Sequence, residues 1–181
     1  NWFLNKKLIK LFNSIYYFIG KNSPKEKLVY WDDYFYPLDT ILGWNKIYGR
    51  KGFVQYQCVI PLEKSKAGLI ELLKEIEKSN VSSFLSVLKR FGDQKGNFSF
   101  PMQGYTIALD FPVSEDTLNL LEKLDEITIK YNGRFYLAKD ARMSKETFKK
   151  SDKRIQEYIN FRNKNDFDKN FKSSQSSRLE L

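Results

Sequence analysis

The stretch Phe53–Ile60 confines the fold most tightly, because its side chains change character with a period of two between the chain-breaking residues Gly52 and Pro61. Successive strand side chains point to opposite faces. Val54, Tyr56, Cys58 and Ile60 therefore share one apolar face, and Gln55 and Gln57 share the other with Phe53 and Val59. The apolar face needs a covering layer. The two amides aimed the same way leave two readings open, a solvated outer face of an antiparallel sheet or a polar ligand surface.

The segments that follow supply the layer. Glu63–Lys78 has helical spacing, with Leu62, Leu69, Ile70, Leu72, Leu73 and Ile76 at the apolar positions and Ser79-Asn80 at its end. Ser83–Phe91 reads as a strand, Gly92–Asn97 as a polar turn and Tyr105–Phe111 as another strand. A helix over Ser114–Tyr131 opens on Ser114, Glu115 and Asp116 and closes at Asn132-Gly133, and Arg134–Ala138 is a short last strand. This order is that of the split βαβ, or ferredoxin-like, unit: an α+β fold with an antiparallel sheet and both helices on one face. N- and C-terminal helical extensions flank it. The helices are expected over Tyr105, Ile107, Leu109 and Phe111 of the third strand, and over Phe135 and Leu137 of the fourth. The opposite face then collects Gln55, Gln57, Thr106, Ala108, Asp110 and Tyr136, joined by Lys89 if Leu85, Val87 and Phe91 turn the same way. That face is too apolar at its second strand to be simply wet, so a ligand or another domain is expected against it.

Leu4, Leu8, Leu11, Phe12, Ile15 and Ile19 recur at helical spacing near the N-terminus, with Lys6, Lys7, Lys10 and Asn13 elsewhere around the wheel. A surface-packed helix is expected there. Its apolar run is too short to span a membrane, but a basic amphipathic helix can also lie on anionic lipid, so a peripheral membrane contact is a second reading. Gly20–Lys27 reads as a linker. The chain thus divides into an N-terminal helix and linker (1–27), an α+β domain (28–140) and a C-terminal helical segment and tail (141–181). Because the sequence opens on Asn1 without an initiator methionine, a preceding segment is expected. The hydrophilic end, Lys164–Ser177, reads as loosely ordered.

The chemistry open to this chain is bounded by what it lacks. There is no histidine, which removes Ser-His-Asp and Cys-His arrangements. The single cysteine, Cys58, has no partner for a disulfide or a cysteine metal site and reads as a buried structural thiol; no metal site is assigned. Chemistry must come from Lys, Tyr, Asp or Glu, or from a cofactor. The net charge of +9 favours anionic partners, whether nucleic acid, acidic lipid or a phosphorylated small molecule. No nucleic-acid partner is assigned, since no helix-turn-helix, zinc-finger or comparable signature is present.

The runs YPLDTILGWNKIYGRKGFVQYQCVIP, SSFLSVLKRFG, SFPMQGYTIALDFP and GRFYLAKDAR, with a closing RLEL, resemble the C-terminal part of FAD-linked oxidases of the decaprenylphosphoryl-ribose oxidase type, within the sugar-lactone oxidase group of the vanillyl-alcohol-oxidase-like superfamily. The resemblance implies a substrate-binding cap domain that lays its sheet over a flavin and closes a pocket. The FAD would be held mainly by an N-terminal domain, expected upstream, and this chain alone would be inactive and bind FAD weakly. Carried over by position, the family's pocket glutamines fall on Gln55 and Gln57 and its pocket lysine on Lys89; Tyr136 and Lys139 match the tyrosine and lysine near flavin and substrate. Lys139 and Lys89 are accordingly the candidate catalytic residues. Gln55, Gln57, Tyr136, Thr106 and Ala108 are the candidate substrate-binding residues, and Tyr136 and Lys139 the candidate cofactor-binding ones.

Thr106 stands where the family has an asparagine, and Ala108 where one member has a reactive cysteine, so covalent trapping there is not expected. Asp152-Lys153 replaces a Tyr-Pro pair and Phe167 a proline. The implied reaction is oxidation of a secondary hydroxyl of a sugar, a polyprenyl-phosphoryl ribose or similar, with a partner reductase completing an epimerisation. A simple strand would turn Lys139 away from Tyr136, so a shared pocket requires the last strand to end, twist or bulge near Ala138. The rival reading is a ferredoxin-like module without chemistry that binds RNA or a protein partner on the same face. Against RNA, Tyr56 and Tyr105 fall on the helix side, which leaves the central strands without a stacking pair.

Overall fold

A computed structural model describes residues 6–36, 38–39, 41–94, 96–165 and 167–181. Leu4 of the N-terminal pattern, and Pro37 and Thr40 of the first family-like run, lie outside the described residues. In chain order the elements are α1 (Lys6–Asn22), α2 (Trp31–Phe35), β1 (Phe53–Pro61), α3 (Leu62–Lys78), β2 (Ser86–Phe91), β3 (Gly104–Pro112), α4 (Glu115–Lys130), β4 (Arg134–Phe135), α5 (Lys145–Ser151), α6 (Ile155–Lys164), α7 (Phe167–Asn170) and α8 (Ser174–Leu179). A 3-10 turn over Trp44–Tyr48 precedes β1, and another over Leu137–Lys139 follows β4. The four strands form one antiparallel sheet in the order β2-β3-β1-β4, so the α+β split-βαβ layout holds.

The period of two is realised over most of the central strands, with Val54 and Tyr105 at their ends only partly buried. Tyr56, Cys58, Ile60, Ile107, Leu109 and Phe111 are buried beneath α3 and α4, where they meet Leu72, Leu120, Leu121, Leu124 and Ile127. Each such aliphatic or aromatic side chain contributes about 1.5–3 kcal/mol by leaving water. Burial pushes the Cys58 thiol up to about 12, which makes it the structural, unreactive group expected. The start of α4 is fixed by Ser114, whose hydroxyl accepts from Thr117 N at 3.1 Å. Gly104, opposite Pro61, is required by space: a Cβ there would lie 2.0 Å from Ile60 O.

Several boundaries and exposures differ from the sequence reading. Ile70 and Leu73 of α3 are exposed, and Leu72 alone of the expected set is fully buried, because the α3 stripe facing the sheet is narrower than its apolar content suggests. The second strand starts at Ser86 rather than Ser83, since Ser83 Oγ donates to Leu85 O and turns the chain there. The last strand ends at Phe135. The α1 helix forms, but its apolar residues Leu11, Phe12, Ile15, Phe18 and Ile19 are exposed rather than packed. Within the hydrophilic end Lys164–Ser177 the described residues include α7 and most of α8. Ser173 and Ser176 form a reciprocal capping box at the start of α8, and Leu179 is fully buried against the core.

Candidate functional site

The sheet face away from α3 and α4 carries the candidate residues. The β1–β3 register places Gln55 opposite Asp110, Gln57 opposite Ala108 and Val59 opposite Thr106, and β2 adds Val87 beside Ala108 and Lys89 beside Thr106. Directly opposed residues of an antiparallel pair share a face, so this one surface holds both amides, the threonine and the aspartate. At one end the chain covers its own sheet. Phe100 meets Phe91 of β2 edge-on at 5.8 Å and stacks on Tyr136, beyond β4, at 4.7 Å and 22°. Its ring thus bridges a side chain of the edge strand β2 and one just past the other edge strand, and Val59 and Thr106 of the same face are fully buried. At the other end Tyr48 stacks on Phe53 at 4.7 Å.

Lys139 reaches this face because β4 stops early. Tyr136 N still donates to Gln57 O at 2.9 Å, which seats Tyr136 beside the glutamine pair. The 3-10 turn then begins, with Lys139 N donating to Tyr136 O at 2.9 Å, and swings the lysine back over β1. Its Nζ donates to Gln55 Oε1 at 2.8 Å. The turn is held from a distance by α8: Gln175 Nε2 donates to Leu137 O at 2.7 Å, and Arg178 pairs with Asp140 Oδ2 at 2.8 Å. Burial by itself would raise the Asp140 carboxyl; Arg178 and the backbone N–H groups of Met143 and Arg142 hold it below the usual carboxylate range.

Gln55 is bonded on its other side too, its Nε2 donating to Asp110 Oδ1 at 2.9 Å. Asp110 is 2% exposed, and its second oxygen has no hydrogen-bond partner. Burial pushes this carboxyl above the ordinary range, against the Gln55 hydrogen bond and the Lys139 charge. Burial, with Asp110 adding to it, also raises the Tyr48 phenol, whose buried hydroxyl is likewise unpartnered. Gln57 Nε2 donates to Thr106 Oγ1 at 3.2 Å. The structure thus brings together Gln55, Gln57, Thr106, Ala108, Tyr136 and Lys139. Lys89 shares the face in register but stands exposed on the edge strand, apart from the Lys139–Gln55 contact. Beside Tyr136 opens a groove of about 260 Å³ lined by Phe98, Phe100, Arg134, Asp152 and Arg154, where Asp152 pairs with both arginines. Asp110 lies in the same alternating set as Thr106 and Ala108, a signal that could have marked it as a site residue. Phe100, beyond the second strand, carries no such periodic signal.

No family model matches the chain. It is 37% identical over 149 residues to the decaprenylphosphoryl-β-D-ribose oxidase of Mycolicibacterium smegmatis, a match that covers 82% of this chain and 32% of that protein. This chain is a sequence relative of part of such an oxidase. It spans about a third of the relative's length, consistent with the C-terminal part that the sequence motifs indicate. The resemblance carried by the glutamine strand, the GYTIALDF strand and the YLAKD turn therefore holds across most of the chain, and the related protein is an oxidase by name.

Proposed function

We propose that this chain is the substrate-binding domain of an FAD-dependent oxidoreductase that oxidises a secondary hydroxyl of a sugar, with a polyprenyl-phosphoryl ribose or a similar phosphorylated sugar-lipid as substrate. The observation that carries the reading is the convergence of Lys139 on the glutamine face, in a chain related to an oxidase of such a substrate. Among the described residues Lys139 is in no ion pair and donates to a neutral amide, and its charge is offset only in part, by Asp110 on the far side of that amide.

The residues present fit FAD. Lys139 can balance negative charge that grows on a flavin ring, Gln57 offers a side-chain amide, and the half-exposed Tyr136 ring supplies a flat apolar rim. Gln57, Tyr136 and Lys139 would face the cofactor, and a separate segment of the protein would hold most of it. The chemistry that FAD would supply there is acceptance of the hydride from the alcohol carbon. Lys139 Nζ would donate a charge-assisted hydrogen bond to the reacting hydroxyl oxygen and stabilise the oxyanion as the hydroxyl proton passes to solvent on the open side of the face. Gln57, held from behind by the buried Thr106 hydroxyl, orients the sugar, and Phe100 with Tyr136 excludes water from one side. The net positive charge suits the phosphate. A partner reductase would complete an epimerisation, and the exposed apolar, lysine-flanked α1 would bring the domain to a membrane surface where such a lipid resides. A non-chemical RNA-binding role finds less support, because the outer face of β1 and β3 offers amides, a threonine and a buried acid between Phe53 and the strand ends, not paired exposed aromatics.

The test is anaerobic mixing of the protein containing this chain, loaded with FAD, with a polyprenyl-phosphoryl ribose. Loss of flavin absorbance is the expected result. A protein that takes up no FAD, or whose flavin is not reduced by this or any other sugar alcohol, would overturn the reading.

A further inference from the structure

The two pocket glutamines are held differently. An amide has a donor end and an acceptor end of nearly the same shape, and a half-turn exchanges them. Gln57 is bonded to a hydroxyl, which can donate or accept, so either end of that amide can face a ligand. Gln55 is bonded to a carboxylate. In its ionised form Asp110 can only accept, so it draws the Nε2 end toward β3 and turns Oε1 outward, where it accepts from Lys139. Asp110 is itself firmly placed. It sits directly across the ladder from Gln55, and its backbone N–H donates to Leu85 O at 3.1 Å and to Ser83 Oγ at 3.2 Å. Burying an acid there at 2% exposure is unfavourable unless its contacts are worth keeping, and the sheet alone does not need one.

We propose that Asp110 is a positioning residue of the reaction described above: by accepting from Gln55 Nε2 it fixes that amide so that Oε1 holds the Lys139 ammonium over the sheet face. Asp110 never meets the substrate. The proposal rests on the reading of Lys139 as the group that acts on the sugar hydroxyl, but the orientation of Lys139 can be measured without turnover.

The experiment uses the whole FAD-loaded protein with Asp110→Asn, Gln55→Met and the double variant, each checked for flavin content and thermal unfolding. Asparagine keeps the shape but can present a donor, so the acceptor-only constraint is lost. Asp110→Asn is expected to lower kcat about tenfold, the scale of one hydrogen bond to a charged partner, while KM for the sugar changes little. In the Gln55→Met background the same substitution should have no further effect, because nothing remains for Asp110 to orient. Equal losses in both backgrounds would make Asp110 merely structural and overturn the proposal. Independently, the NMR signal of the Lys139 side chain, with labelled lysine and no substrate, should move in Asp110→Asn in the same direction as in Gln55→Met. An unmoved signal overturns the positioning role even if no sugar is oxidised, and a moved signal in a protein that oxidises no sugar upholds the positioning while refuting the assigned reaction.

Discussion

Lys139 owes its place to a neutral acceptor, Gln55, and that leaves its positive charge available to whatever binds on the face. If this charge matters most as the sugar hydroxyl loses its proton, Lys139→Met should slow flavin reduction by about a hundredfold or more, with a smaller effect on substrate binding. Stopped-flow reduction of the FAD-loaded protein measures this. Lys89→Met belongs beside it: Lys89 is exposed on the edge strand, so a smaller loss is expected. The reverse order would move the catalytic role to Lys89. At this scale the sequence was most legible where alternation decides direction, as for Gln55, Gln57, Thr106, Ala108 and Cys58. For Asp110 the alternation gave the face but not the partner: its bond to Gln55 crosses from one strand to the next, a relation no single-strand pattern contains.

Among the elements, α4 and the segment before α5 are joined by a buried ion pair whose removal has a definite sign with pH. Arg142 grips Asp125 at 2.7 and 2.9 Å and also donates to Leu121 O at 3.1 Å. Burial pushes Asp125 up to about 6, against the pull of Arg142, with Asp140 and Glu122 adding to the rise. The folded state thus holds this proton more tightly than the unfolded chain does. Its contribution to stability is full below the unfolded value and is lost as pH rises through about 6. Arg142→Met should cost about 3–5 kcal/mol where Asp125 is ionised, because it strands a buried charge. Lower pH lets the proton take the place of the arginine, so urea unfolding should show a smaller gap between parent and variant near pH 4 than near pH 8. An equal gap at both would refute this account of the pair.

The element order, sheet order and helix side were legible because β1, β3 and α4 carry long, clean periodicities. The early end of β4 was not, since the 3-10 turn that delivers Lys139 is held by Gln175 and Arg178, more than thirty residues further along the chain. The hydrophilic composition of the tail likewise masked the capping box and the buried Leu179 that order α8.

For the molecule as a whole, the division of labour is between a well-packed side of the sheet and a partly covered one. The α3–α4 side supplies stability. The glutamine face has its own aromatic cover at its two ends, from Phe100 and from Tyr48, and is open between them, and the exposed apolar residues of α1 and of Leu28–Phe35 form further apolar surface. The central claim is that the glutamine face is the working surface of a flavin-dependent oxidoreductase. The most direct measurement is an experimental structure of the protein containing this chain with FAD and a sugar-phosphate ligand bound. The account predicts the flavin ring and the sugar against Gln57, Tyr136 and Lys139, with Gln55 still bridging Lys139 to Asp110. A flavin or sugar bound elsewhere, with this face exposed to solvent or covered by protein alone, would contradict it.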